Sequence, residues 1–197
     1  MSVNYLDATA LLQQMVDAVE LVRQRPLRAA EALRRAEIEY AVIGDSAVAA
    51  WVATVDRAAV RNTQDVDIMI RRADFDVTKK ALESAGFVYR RSAGLDPFLD
   101  DAKASPREAV HLVFAGEMVK PEEPVANPDV GESTDMGVFR VLDLEALVRI
   151  KLTAFRDKDR MHLRDLIGVG LVDQSWTGRL PAVLAERLQS ILDTPDG

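Results

Sequence analysis

Asp65 and Asp67, in the stretch RNTQDVDIMI from Arg61 to Ile70, place two carboxylates one residue apart at the head of an apolar run. In an extended strand alternate side chains share a face, so Asp65 and Asp67 fall on one side while Val66, Ile68 and Ile70 fall on the other. Two like charges at that spacing repel each other; the cost is small in water, but in a cleft it makes a bound cation expected. An isolated D-x-D is also a common solvated turn, so the surroundings decide. Thr63 stands two residues before Asp65, and IGDSAVAAW lies upstream, with Gly44 between an apolar strand and a helix. There the backbone amides and the Ser46 hydroxyl suit a phosphate, while Asp45 and Ser46 are equally good helix caps. Downstream, KLTAFRDKDRMHLRD offers Lys151 and Asp165. Lys151 reads as a phosphate contact or as part of a solvated helix face, Asp165 as a partner of Arg160 or Arg164, and the charged RDKDR as a helix junction or ion-paired face.

The elements that must position these residues follow from the apolar pattern. Leu12, Met15, Val16, Val19 and Val22 recur at helical spacing from Tyr5 to about Arg25, and Pro26 opens a second helical pattern through Ala36. EYAVIG reads as a buried strand, DSAVAAWVATV as a helix, DVDIMI as a strand, and ADFDVTKKALESAGF as a helix stopped by Gly86. FVYRR and EAVHLVF are further strands separated by the polar SAGLDPFLDDAKASP; KPEEPVANPDVGESTDMG is a long surface loop or crossing connection, and VFRVL an edge strand. From Asp143 onward the chain is helical. The expected architecture is α/β of the α+β type: a small mixed, twisted sheet with flanking helices, divided into N-terminal helices at 1–37, a core at 38–142 and a helical section at 143–197, packed as one compact unit. Trp51 and Trp176 are expected to pack.

This order of features resembles the DNA-polymerase-β-like nucleotidyltransferase superfamily, in particular its minimal and AbiEii-like members. Strand, glycine turn, helix, T-x-D-V-D strand and a later lysine-bearing helix with an RDKD…RD stretch match over roughly Ile38 to Val172. The resemblance implies transfer of a nucleotide from a nucleoside triphosphate to a hydroxyl on RNA, protein or a small molecule. It implies Asp65 and Asp67 as ligands of Mg²⁺ or Mn²⁺, with Gly44, Ser46, Thr63 and Lys151 on the nucleotide. Two departures stand out. Asp45 follows Gly44 where the superfamily usually has glycine or serine, and the position of a third carboxylate falls on His111, with Glu108 and Glu117 nearby. Neutral histidine is a poorer activator of a hydroxyl than a carboxylate, though a half-buried strand histidine with no catalytic part is the ordinary alternative. The competing functions are therefore the enzyme, a nucleotidyltransferase-fold binding or regulatory protein of toxin–antitoxin type that has lost turnover, and a structural partner protein, which would leave the carboxylate pair unexplained.

The composition narrows the field. With 197 residues, 48% of them hydrophobic, the chain can bury a sizeable core. A net charge of −7 counts against nucleic-acid binding through a broad basic face. The absence of cysteine excludes disulfides and thiolate metal sites, and two histidines leave a hard cation on oxygen as the expected metal. The first 22 residues carry acids within their apolar stretch and no basic leader, so they read as neither signal peptide nor membrane span, and a cytoplasmic protein is expected.

Overall fold

The computed structural model describes residues 24–61, 65–91, 96–101, 104 and 109–194. The N-terminal helical pattern over residues 5–23, Thr63 and Glu108 lie outside the described residues.

Helix α1 covers residues 24–35. Strand β1 (Tyr40–Ile43) runs directly into α2 (Gly44–Ala53), and β2 (Val66–Ile70) returns antiparallel to β1, pairing Ile43 with Asp67. Helix α3 (Phe75–Ser84) ends before Gly86, whose φ of +89° makes the turn into the short β3 (Val88–Tyr89). Strand β4 (Pro97–Leu99) lies in the segment that reads as polar, and its three residues are all buried between β3 and β5 (Ala109–Phe114). Strands β6 (Ser133–Asp135) and β7 (Arg140–Leu142) follow, the first within the proline-rich segment expected to be loop. The sheet order is β3-β4-β5-β2-β1-β7-β6, with β2–β5 and β1–β7 parallel and the remaining pairs antiparallel. The VFRVL segment is thus not an edge: β7 sits between β1 and β6, and β6 closes that side.

Helices cover both faces. On one, Ala29, Ala30 and Leu33 of α1 and Leu82 of α3 pack against Val42, Ile68, Ile70 and Val110. On the other, α2 is joined by α4 (Leu144–Ala154), α5 (Asp157–Gly168) and α6 (Ala182–Leu192), whose Leu147, Leu163 and Leu184 share one buried core with Ile43 and Met69. Strand alternation explains the division, since Val66, Ile68 and Ile70 face α1 and α3 whereas Asp67 and Met69 face the C-terminal helices. The helical run from Asp143 breaks at Phe155, which adopts φ +49°, so RDKDR is the α4–α5 junction. Trp51 donates its indole N–H to the Leu142 carbonyl at 2.9 Å, tying α2 to β7, and Trp176 is buried in the helical layer.

Candidate active site

Gly44 is where the chain leaves β1 for α2, with φ at +66°. A β-carbon there would collide with the Asp67 carboxylate, whose Cγ would lie 3.0 Å away, so only glycine lets the turn lie against Asp67. Parallel pairing of β2 with β5 sets His111 beside Asp67 in register, as alternation predicts, with Val110 buried among the side chains of the opposite face. Asp65 precedes β2 on the Asp67 side. These residues line a cleft of about 340 Å³, bounded also by Ile150, Lys151 and Thr153 of α4, by Arg156, Lys158 and Asp159 at the start of α5, and by Lys120, Glu123 and Asn127 of the β5–β6 connection. Of the residues singled out in the sequence, Gly44, Asp65, Asp67, His111 and Lys151 therefore converge. Ser46 is half-buried in α2 and outside the lining. Glu117, the described alternative for the third carboxylate, is held by Arg72 and does not line the cleft.

The site's electrostatics divide into two halves. On the strand side, protein packs closely around the Asp67 carboxylate, and this burial pushes its pKa above the ordinary carboxylate value; Asp65 and Asp45 push the same way, against His111 and Lys151. Between the ordinary and the raised value, the folded chain binds more protons than the unfolded one, so this group's contribution to stability falls as pH rises through that window. Asp67→Asn is accordingly expected to raise Tm at pH 7.5 in chelator-containing buffer, with the gain shrinking as pH falls through the window from the raised value down to the ordinary one. Thermal scans against pH check this, and a Tm lowered at pH 7.5 would refute it.

On the helix side, Lys151 is only 3% exposed. Its ammonium donates to Nδ1 of His162 at 3.0 Å and lies 3.3 Å from Oδ1 of Asp159 and 3.7 Å from Oδ1 of Asp45. Because an ammonium only donates, His162 presents a lone pair at Nδ1. Burial first, then the charge of Lys151, holds that imidazole below its ordinary pKa, against the pull of Asp45 and Asp159. Burial alone would raise the Asp159 carboxyl, but the Arg156 guanidinium and the Lys151 ammonium outweigh it and hold the pKa below the usual range. Asp45 does not cap α2, whose N-cap position is Ile43 with no side-chain bond; its second oxygen is ion-paired with Lys158 instead. Asp165 pairs with Arg61, at 2.8 and 3.0 Å, rather than with Arg160 or Arg164, fastening α5 to the chain just ahead of Asp65.

Neither a protein-family model nor a curated protein matches the chain. Among solved structures it is similar to the solution structure of the antibiotic-resistance factor ANT(2'')-Ia, with a TM-score of 0.53 at 15% identity over 91% of this chain and 92% of that one. It is also similar to the crystal structure of a candidate nucleotidyltransferase from H. pylori, with a TM-score of 0.50 at 15% identity over 93% of this chain and 78% of that one. The fold is similar to nucleotidyltransferase folds. Within this fold, the residues that sequence reasoning passed over are Asp159 and His162, partners of Lys151. A signal for them was present: Lys151 follows Leu147 by four positions and Val148 by three, on the buried stripe of α4, so its charge had to be met inside the protein.

Proposed function

We propose that the chain transfers a nucleotidyl group from a nucleoside triphosphate to a hydroxyl acceptor, with Asp65 and Asp67 holding Mg²⁺ or Mn²⁺. The observation that carries this reading is the convergence of Gly44, Asp65, Asp67 and His111 in a single cleft whose opposite wall carries Lys151, Arg156 and Lys158. Among the described residues no group of three or more His, Asp or Glu forms a ready-made metal site. Two carboxylates suit Mg²⁺, which commonly takes one or two protein carboxylates and completes its shell with water and substrate phosphates. The space kept open at Gly44 lies directly against Asp67. When bound, the metal would neutralise phosphate charge and orient the reacting groups.

In the proposed reaction the acceptor oxygen forms a bond to the α-phosphorus, the bond to the β-phosphate bridging oxygen breaks, and pyrophosphate leaves. His111, beside Asp67 on the same face, is the proposed recipient of the acceptor's proton. The Gly44 turn gives the phosphates a close approach, with Ser46 and Thr63 proposed as supporting contacts on the nucleotide. Arg156 and Lys158, which line the cleft with more than half of each side chain exposed, are the proposed cations for the departing pyrophosphate. Lys151, the triphosphate contact implied by the resemblance, meets phosphate only where Asp45 gives up its side of the ammonium.

A second reading, a catalytically impaired member in an AbiEii-like or toxin–antitoxin-like regulatory role, is favoured by one feature: His111 occupies the strand position suited to a third carboxylate. One assay separates the two. The chain, incubated with each labelled triphosphate, Mg²⁺ or Mn²⁺ and a cell extract as acceptor pool, is expected to yield labelled product, with His111→Ala reducing it and His111→Asp retaining or increasing it. Product from His111→Asp alone supports the impaired reading; no product and no triphosphate binding by any variant overturns both. No described helix is long and apolar enough to cross a membrane. A cytoplasmic location and a protein partner are part of the proposal.

A further inference from the structure

Asp45 stands at the first turn of α2, next to the turn proposed for the phosphates, and its two oxygens are shared between two cations. Oδ1 lies 3.7 Å from the Lys151 ammonium and 3.6 Å from Nδ1 of His162, while Oδ2 pairs with Lys158. This is the arrangement in which two oxygens of one phosphate would meet the same groups. Asp45 is only 15% exposed, whereas Lys158, half exposed on α5, is the partner that an incoming anion reaches first. Among the described residues lining the cleft, five carboxylates face four lysine or arginine side chains, so the metal-free cleft opposes a polyanion.

We infer that Asp45 is a specificity-determining residue: by filling the anion position between Lys151 and Lys158 with the chain's own carboxylate, it excludes free polyphosphates and admits a triphosphate only with its divalent cation. The inference deepens the proposed function and rests on that reading for where the triphosphate lies. Discrimination of this kind works by repelling the wrong ligand as much as by attracting the right one. A metal-free triphosphate would face Asp45, Asp65 and Asp67 together, and Lys158 would already be engaged. A metal-complexed triphosphate brings positive charge to Asp65 and Asp67, leaving only the exchange of Asp45 for phosphate at Lys158. Removing the Asp45 charge while keeping its size then frees Lys158 and Lys151 for an anion of either kind.

The test measures binding of inorganic tripolyphosphate in EDTA, and of ATP and GTP with Mg²⁺, by calorimetry on the full chain. Asp45→Asn is expected to bind metal-free tripolyphosphate at least about tenfold tighter than the parent. The double variant Asp45→Asn with Lys158→Ala should lose that gain, as a direct coupling between the two positions requires. Asp45→Ser provides the same comparison if circular dichroism shows Asp45→Asn to be unfolded. Equal or weaker tripolyphosphate binding in the folded Asp45 variants overturns the inference, as does a gain that survives loss of Lys158. A gain in EDTA that requires Lys158, with no magnesium–triphosphate binding by the parent, retains Asp45 as a charge barrier and defeats the nucleotidyltransferase reading instead.

Discussion

Asp65→Ala and Asp67→Ala are each expected to lower transfer on the order of 10³-fold, about 4 kcal/mol of transition-state stabilisation, while leaving a folded protein. The magnitude follows from geometry, since Asp67 on β2 and Asp65 just ahead of it both line the same cleft and no other strand supplies a described carboxylate that could substitute. Folding survives the change at Asp67 because that carboxylate is an electrostatic liability to the chain without metal: its raised pKa, caused first by burial and then by Asp65, means that ionising it opposes the fold. Loss of magnesium-dependent triphosphate binding in calorimetry, with Tm unchanged or higher, is the expected pair of results. Undiminished magnesium–triphosphate binding in the double variant would remove these residues from the site.

The second large effect concerns stability. Lys151→Ala is expected to cost about 3–5 kcal/mol, a fall in Tm of about 10 °C, because it strips a buried charge network of its central cation. Asp159 is 1% exposed and would retain Arg156, itself largely in solvent; Asp45 would retain the half-exposed Lys158 and the His162 imidazole 3.6 Å away. By contrast, Lys158→Ala removes a half-exposed partner and should cost no more than about 1 kcal/mol. Chemical denaturation of the two variants tests this contrast; equal stabilities would show that the network contributes nothing to the fold. Comparison of triphosphate with nucleoside affinity in Lys151→Ala gives a separate readout, because a phosphate contact weakens the first more than the second, whereas a packing defect weakens both.

Much of the strand side of the site could be read from sequence because its rule is local. Alternation in DVDIMI placed Asp65 and Asp67 opposite Val66 and Ile68, and the same rule set His111 against Val110, requiring only that β2 and β5 be neighbours. The glycine turn was equally legible, since the apolar strand before it and the helix after it leave few other conformations. The helix side was hidden because its contacts join residues far apart in the chain. Asp45 suited a cap by type, and nothing in GDSAV tells that Lys151 and Lys158, more than a hundred residues later, take its two oxygens. Arg61 with Asp165 is a similar case: arginines near Asp165 in sequence were the natural guess, yet packing of α5 against the strand side brought a distant one. Strands β4 and β6 escaped notice because three residues with a proline or a serine at the end carry almost no periodic signal; their places are set by the neighbours they complete.

The apolar layer between the sheet and the C-terminal helices has a mechanical meaning for the charges at its rim. Ile43 and Met69 on the sheet, and Leu147 and Leu152 on α4, interlock in one core, with the carboxylates fixed to the first pair of neighbours and the buried ammonium to the second. The width of the cleft is therefore governed by the thickness of a greasy seam, much as the gape of a clamp is set by its spacer. A methyl group added or removed at Leu147 would alter the distance between opposing charges without touching either, so the spacing on which a phosphate chain depends is written in uncharged side chains.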